Sequence, residues 1–500
     1  MIAPEKVEFF EHFKEEWLGL TYDDVTLQTG PSNGEDLPQE LDISSRFSRN
    51  IDLKAPFVSA AMDTVTEKDM AIEMGKFGGL GVIHYAMEVK EQKRQVKAVK
   101  KAVNGLIEKP TTVKDSLTLQ DVLDLSNKNG HTFRTFPVLN SEGNLVGILS
   151  DKDFKYPDTS LMQVSEAMTP IDQVLTAQKG TKINEAYKTM QKSKNSTLPI
   201  IDDDGKLAGL YVFSDVKRIH RNIDNYNTDS NQQLITAAAV STISKESQTM
   251  ERIQAMHKFL DVIVLDTSDG DSSYAFRDLQ EIKNAFPNLD IVVGNITNPK
   301  SALILAKLGA DGIKVGQGSG SICTTRRETG IGTPQLTAVY NCASALYEEY
   351  PELPICADGG ISARGHLAIA IGAMANSVMM GRVFGGSQEA PGERIIKRDR
   401  SKGKVLRGMG SSKSLESNPG SRERYATKGS VILPEGVDGV VPEEGPVRDV
   451  LQLCAIALRK GMRLTKSPNI EYLRQNGWFI RSTDNGLRES FPHDVEQFFN

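Results

Sequence analysis

Eight short runs of consecutive apolar residues punctuate the chain: FVSAAM (57–62), GLGVIH (79–84), ITAAAV (235–240), DVIVLDTS (261–268), DIVVGNI (290–296), GIKVGQGSG (312–320), PICADGG (354–360) and SVMMGR (377–382). Consecutive rather than alternating apolar positions mark strands buried on both faces, as parallel strands covered by helices are. Amphipathic helical stretches follow most of them, among them Thr66–Lys76, Pro299–Leu308 and Gly365–Ala373. Eight βα units in one chain predict an α/β fold, a (β/α)8 TIM barrel.

Between the second and third units the pattern changes. The segment FPVLNSEGNLVGILSDKD (136–153) returns 62 residues later as LPIIDDDGKLAGLYVFSD (198–215), aligning Pro137 with Pro199, Gly143 with Gly205, Gly147 with Gly209 and Asp153 with Asp215. Each copy reads as a strand, an acidic and glycine turn, a second strand and a helix start, and helical stretches (Leu117–Asn129 and Ile183–Lys194) precede both. Two copies of one small α+β unit are therefore inserted at a barrel loop. The expected boundaries are a barrel over 1–105 and 225–500, with modules at 106–162 and 163–224. Near the end, 387–446 is rich in Gly, Ser and charge with little periodicity, and is expected to be a long mobile flap.

Composition narrows the class. A length of 500 residues suits two to four ordinary units, or fewer if one is a barrel. A net charge of −6 on a mixed-sign chain gives no nucleic-acid footprint. No stretch approaches the roughly 20 apolar residues of a membrane helix. The charged N-terminus MIAPEKVEFFEHFKEEW is unlike a signal peptide, and the C-terminus DVEQFFN matches no lipidation signal. Four cysteines without a CxxC pair are too few for a disulfide framework, so a soluble, reduced, cytoplasmic protein is expected.

In this fold the chemistry belongs at the carboxyl ends of the strands. Those ends are polar and glycine-rich: Asp266-Thr267-Ser268-Asp269-Gly270, Gly294-Asn295, Gly316 to Gly320, Asp358-Gly359-Gly360 and Gly381-Arg382. Glycine lets backbone approach a ligand and leaves N–H groups to grip it. Cys323 follows the loop carrying Gly316, Gly318 and Gly320, with Ser321 and Thr325 beside it, and is the candidate nucleophile. Cys342, Cys356 and Cys454 read as small buried hydrophobes. Ser321, Asp358-Gly359-Gly360 and Gly381-Arg382 suit a phosphate cradle. Asp358 would repel phosphate and suits ribose hydroxyls, with a helix N-cap as the alternative. Within GSRERYATKGS, Arg424 beside Tyr425 is either a surface charge run or a catalytic pair on the flap, and the residues alone do not choose.

These motifs, in order, resemble one family. LTYDDVTL (20–27), VSAAMDTVTE (58–67), the DTSDG turn, GSGSICTTR, ADGG, MMGR, RGMGS, GSRERY and LPEGVDG closely resemble the inosine-5′-monophosphate (IMP) dehydrogenase and GMP reductase family over essentially the whole chain, and the insert resembles a tandem CBS pair. The resemblance implies oxidation of IMP with NAD+ and water to xanthosine monophosphate and NADH, the entry step to guanine nucleotides. Cys323 would attack C2 of the purine and form a covalent thioimidate, which the flap then hydrolyses. Arg424, helped by Tyr425, would activate the water that Thr325 contacts; an arginine base is unusual, since its reference pKa is above about 12. Ser321, Met62, Gly360, Gly381, Arg382, Met409 and Gly410 would form the IMP pocket, with Asp358 on the ribose and Glu435 on the purine edge. Asp266, Thr267, Ser268, Gly316 and Gly318 would hold NAD+. Carbonyls of Gly318, Gly320 and Cys323 would bind K+, completed by Glu489, Ser490 and Phe491 of a neighbouring subunit in a homotetramer.

Three positions depart from the family pattern: Leu406 stands for a phosphate-binding tyrosine, Arg382 for Ser or Gly, and Asp269 for Gln. GMP reductase is the nearest rival, and TGIGTPQLTAV (329–339) leans toward it, whereas Arg424-Tyr425 argues for the hydrolytic dehydrogenase. A regulatory nucleotide-binding protein with an inactive barrel is the rival from another class. ATP or GTP at the modules, through Asp153 and Asp215 or with those residues acting only as N-caps, and octamer formation are further implications.

Overall fold

Each of the eight apolar runs forms a strand in the computed structural model, which describes residues 2–31, 37–128, 135–155, 161–244, 247–397, 400–417, 433–492 and 494–495. The strands are β1 (Phe57–Ser59), β2 (Leu80–Ile83), β3 (Ala237–Val240), β4 (Val262–Asp266), β5 (Asp290–Ile296), β6 (Gly312–Val315), β7 (Ile355–Asp358) and β8 (Ser377–Met380). They pair in parallel and in chain order, and β8 pairs with β1 to close the barrel. Their residues are buried throughout apart from the half-buried Asp358, as covering on both faces requires.

The outer helices are α1 (Lys68–Phe77), α2 (Val89–Lys101), α3 (Thr249–Met256), α4 (Ser273–Ala285), α5 (Pro299–Lys307), α6 (Gln335–Glu349), α7 (Gly365–Gly372) and α8 (Val447–Leu464). α8 packs against α1 and α7, the place a helix following β8 should take. Val58, Leu80, Val82, Ala237, Ala239, Val262, Val264, Val292, Cys356 and Met379 fill the interior together with Phe47. Phe47 belongs to an antiparallel hairpin (Ser45–Ser48 with Ile51–Leu53) at the amino-terminal end. Ser48 Oγ donates to Asp290 at 2.6 Å and Arg49 N to Asp311 O at 2.7 Å, fixing the hairpin to the starts of β5 and β6.

The chain divides into two compact units, Lys101–Asp224 with Thr228–Gln233 forming the second. That unit holds two four-stranded sheets. The repeat is visible in detail. Both hairpins have a register shift at equivalent places, between Val138 and Leu139 and between Ile200 and Ile201. Both turn on a left-handed glycine, Gly143 (φ +85°) and Gly205 (φ +76°). In both, a side-chain oxygen, Asn140 Oδ1 or Asp202 Oδ1, accepts two backbone N–H groups across the turn.

Two expectations need correction. The module boundary at 162/163 is not where the sheets divide. Leu106–Ile107 pairs with the second copy's sheet, and Thr169–Pro170 with the first. Val164 also lies in the first module's core with Val113, Leu119 and Phe136. Two-residue edge strands carry too little pattern to be read in advance. The segment 387–446 is not one long loop either. Arg394–Ile396, Lys402–Arg407 and Asp438–Pro442 form a three-stranded antiparallel sheet. Glycine and buried Lys404 interrupt the alternation that would have revealed it. Among the described residues, no helix is long and apolar enough to cross a membrane.

Candidate active site

β6 runs into a loop that only glycine can trace. Gly316 has φ +149°, and a Cβ there would lie 2.1 Å from the Asp358 carbonyl oxygen; Gly318 has φ +73°. Arg326 staples the loop from the far side, donating from Nε to Gln317 O at 3.0 Å and from Nη2 to Thr333 O. Cys323 N donates to Gly320 O at 3.0 Å, and the Cys323 Sγ lies 3.2 Å from Thr325 Oγ1. A short helix, Thr325–Thr329, begins directly afterwards.

Cys323 is half-buried, whereas Cys342, Cys356 and Cys454 are buried. Burial pushes the Cys342 thiol well up, that of Cys356 to about 12 and that of Cys454 to about 11, so all three stay protonated at neutral pH. Of the four, Cys323 is the one that lines the cleft at the barrel mouth. Residues between the second and third strands of the antiparallel sheet hold its loop in place: Thr324 N donates to Glu435 O at 2.9 Å, Val437 N to Ile322 O at 2.9 Å, and Glu435 N to Gly410 O at 3.0 Å. Glu435, Met409 and Gly410 are thereby tied to the Cys323 loop.

Beneath the loop lies a buried polar network. Lys314, on β6, is 2% exposed; its Nζ lies 3.0 Å from Asp266 Oδ1 and 2.8 Å from Asp358 Oδ2, and it also donates to Asn295 Oδ1. Asn295 Nδ2 donates to Asp358 Oδ2 at 3.0 Å and to Gly316 O at 2.6 Å. Thr267 Oγ1 donates to Gly294 O at 2.9 Å, and Gln317 Nε2 to Ser268 O at 2.9 Å. Gln335, at the start of α6, donates to Val315 O at 2.8 Å and Asp358 O at 3.2 Å, holding the ends of β6 and β7 together.

Two adjoining cavities open above this network. One, of about 440 Å³, is lined by Cys323, Thr325, Asp266, Thr267, Ser268, Asp269, Gly316, Met409, Gly410 and Glu435. The other, of about 320 Å³, is lined by Ser321, Gly360, Gly381, Arg382, Arg326 and Leu406. Met62, Gly318, Gly320 and Asp358 line both. The structure thus gathers the expected nucleotide residues at one barrel mouth, in a cleft of the size small-molecule sites have. Leu406 is 1% exposed and faces Gly385 as well as the second cavity, where it offers no hydroxyl.

Other expected residues are not brought there. Glu489, Ser490 and Phe491 end a short exposed helix and line neither cavity. Arg424 and Tyr425 lie outside the described residues. Asp153 closes a capping box with Ser150, accepting from its N at 2.6 Å, while Asp215 pairs with Arg218 at 3.0 Å. Lys314 and Gln335 were missed as site residues, and Asn295 was noted only as part of a polar strand end. A lysine inside a strand buried on both faces was the available signal.

The fold and this site define a (β/α)8-barrel enzyme built around one half-buried cysteine. A family model for the IMP dehydrogenase / GMP reductase domain matches residues 19–493. Inosine-5′-monophosphate dehydrogenases of Aquifex aeolicus and Bacillus subtilis are 39% and 38% identical to this chain, each over 96% of both chains. Among solved structures, a Cys-to-Ala variant of GMP reductase from Trypanosoma brucei in complex with guanosine 5′-monophosphate matches with a TM-score of 0.82 and 34% identity, over 96% of this chain and 98% of that one. The chain belongs to the IMP dehydrogenase / GMP reductase family of oxidoreductases.

Proposed function

We propose that this protein is an IMP dehydrogenase, oxidising IMP to xanthosine monophosphate with NAD+ and water. The observation that carries the reading is the Cys323 thiol in the first cavity, with Glu435 and Asp266 in the same cavity and the Ser321–Arg382 lobe adjoining it. Asp358 receives the ribose hydroxyls of IMP, and Ser321, Gly360, Gly381 and Arg382 receive its phosphate. Met62, Met409 and Gly410 enclose the base, and the Glu435 carboxylate accepts from the purine N–H edge.

Cys323 sulfur forms a bond to C2, and loss of hydride from that carbon leaves a thioimidate on the enzyme. The polar wall of Asp266, Thr267, Ser268, Gly316 and Gly318 fits a dinucleotide ribose, and NAD+ bound there supplies the hydride acceptor. Thr325 Oγ1, 3.2 Å from the sulfur, holds the water that adds to C2. Arg424, with Tyr425, takes the water's proton, and Cys323 leaves as the product forms. The carbonyl-bearing residues Gly318, Gly320 and Cys323 suit K+. Glu489, Ser490 and Phe491 complete that site from a second copy in a homotetramer, which can stack to an octamer. The inserted pair acts as CBS modules for ATP or GTP, and the protein works in the cytoplasm without nucleic acid or membrane.

A second reading, GMP reductase, is favoured by the fold match to the trypanosomal reductase and by TGIGTPQLTAV at 329–339. One assay decides. With IMP, NAD+ and K+, absorbance of NADH should rise, Cys323→Ala should be silent, and Arg424→Ala should give a single-turnover burst. If IMP and NAD+ give nothing while GMP consumes NADPH and releases ammonia, the protein is a reductase.

A further inference from the structure

Lys314 is placed against both carboxylates that the proposed reading assigns to the ribose diols. It rises from β6 into the barrel interior, where Gly294 gives it room: a Cβ at 294 would come within 2.7 Å of the Lys314 Cβ. Its ammonium lies 3.0 Å from Asp266 Oδ1, on the cofactor side, and 2.8 Å from Asp358 Oδ2, on the substrate side. Both Lys314 and Asp266 are 2% exposed, so water screens that pair little, while the Asp358 side chain is 21% exposed at the cleft. The three charges sum to −1 beneath the cleft. One ammonium cannot fully satisfy two carboxylates, and whatever draws it toward one withdraws it from the other.

We propose that Lys314 is a positioning residue shared by the two nucleotide subsites, which couples binding of the substrate ribose to binding of the cofactor ribose. This rests on the reading that Asp358 and Asp266 hold the two diols. When Asp266 loses its charge, Asp358 is the one carboxylate left to the ammonium, which also donates to Asn295 Oδ1, and Asp358 Oδ2 already accepts from Asn295 Nδ2 at 3.0 Å. That carboxylate then accepts less well from ribose hydroxyls. A change in the cofactor subsite is thus felt in the substrate subsite without any contact between the ligands.

The test is calorimetric titration of IMP into the full-length protein in a Cys323→Ala background, which cannot turn over. Asp266→Asn should weaken IMP binding about threefold or more, the lower end of coupling within one charged network. Adding Lys314→Met should abolish that cross-effect, and Lys314→Arg should restore it. An Asp266→Asn variant with unchanged IMP affinity overturns the proposal, as does an effect of equal size with and without Lys314. Should Lys314→Met fail to fold, the Asp266→Asn arm with Lys314→Arg still decides: no cross-effect in either refutes coupling. If the protein instead binds and converts GMP with NADPH, the dehydrogenase reading fails on its own. The same cycle run with GMP still tests Lys314, because that nucleotide carries the same diol.

Discussion

Gly316→Ala should silence the enzyme while leaving the barrel folded. The added Cβ would sit 2.1 Å from the Asp358 carbonyl oxygen, roughly 1 Å inside ordinary contact, and the backbone there has φ +149°. The neighbour is main chain and cannot rotate away. Its oxygen also accepts from Ser319 Oγ at 3.1 Å and Gln335 Nε2 at 3.2 Å, so moving it disturbs two hydrogen bonds of about 1 kcal/mol each. The strained backbone adds about 1–3 kcal/mol. Together that is about 3–5 kcal/mol, which the loop escapes by shifting away from β7 and carrying Cys323 with it. A displacement of about 1 Å at a reacting group can cost about 10²-fold in rate. Steady-state NADH formation should therefore fall by about 10²-fold or more, with a circular-dichroism spectrum like that of the parent. A variant retaining more than half of the parent's kcat would refute the claim that this contact sets the position of Cys323.

Further outcomes follow from the same geometry. Brief treatment of the native protein with iodoacetamide should label Cys323 alone, with IMP protecting it, and comparable labelling of Cys342, Cys356 or Cys454 in peptide mass spectra would contradict their burial. Arg382→Ala should raise the KM for IMP about tenfold, the loss of one charge-assisted phosphate contact, with kcat little changed in initial-rate assays. Lys6 is buried between Gly372 O and Arg474 O, and burial pushes its pKa down to about 7. The unfolded chain holds that proton up to about pH 10.5, so stability should rise as pH climbs from about 7 toward 10.5, and urea titrations should show Lys6→Met flattening the rise.

The barrel was legible because each strand is apolar at consecutive positions, a pattern that few other structures require. The repeat was legible for a different reason: Asn140 and Asp202, with Gly143 and Gly205, build the same turn twice, and turn chemistry is local. What escaped was non-local. Thr169–Pro170 and Leu106–Ile107 exchange between the two sheets as two-residue strands, whose partners are fixed by packing rather than by their own sequence. Lys402–Arg407 hides a strand behind a buried lysine capped by the carbonyls of Ser387 and Ala390. Cys323 and its glycine loop were readable from spacing and strand position. Roles for Arg424, Tyr425 and Glu435 came only from resemblance, because a polar or charged residue in a glycine-rich stretch of sequence reads the same whatever it does.

The carboxylates at the two ends of the barrel differ in what surrounds them. At the amino-terminal end Asp290 accepts from Ser48 Oγ, Asn50 N and Asn50 Nδ2, using both of its oxygens on the hairpin. Asp311 accepts from Ile291 N and Lys283 Nζ, both on Oδ2, with Arg49 Nε 3.7 Å from its Oδ1. At the carboxyl-terminal end, the hydrogen bonds that the Asp358 carboxylate accepts among the described residues fall on Oδ2, although a carboxylate offers about four acceptor positions. Its remaining capacity faces a cleft rather than a backbone. What sets Asp358 apart from Asp290 and Asp311 is its place: it is half-buried and lines both cavities, whereas those two are buried at the opposite end of the barrel.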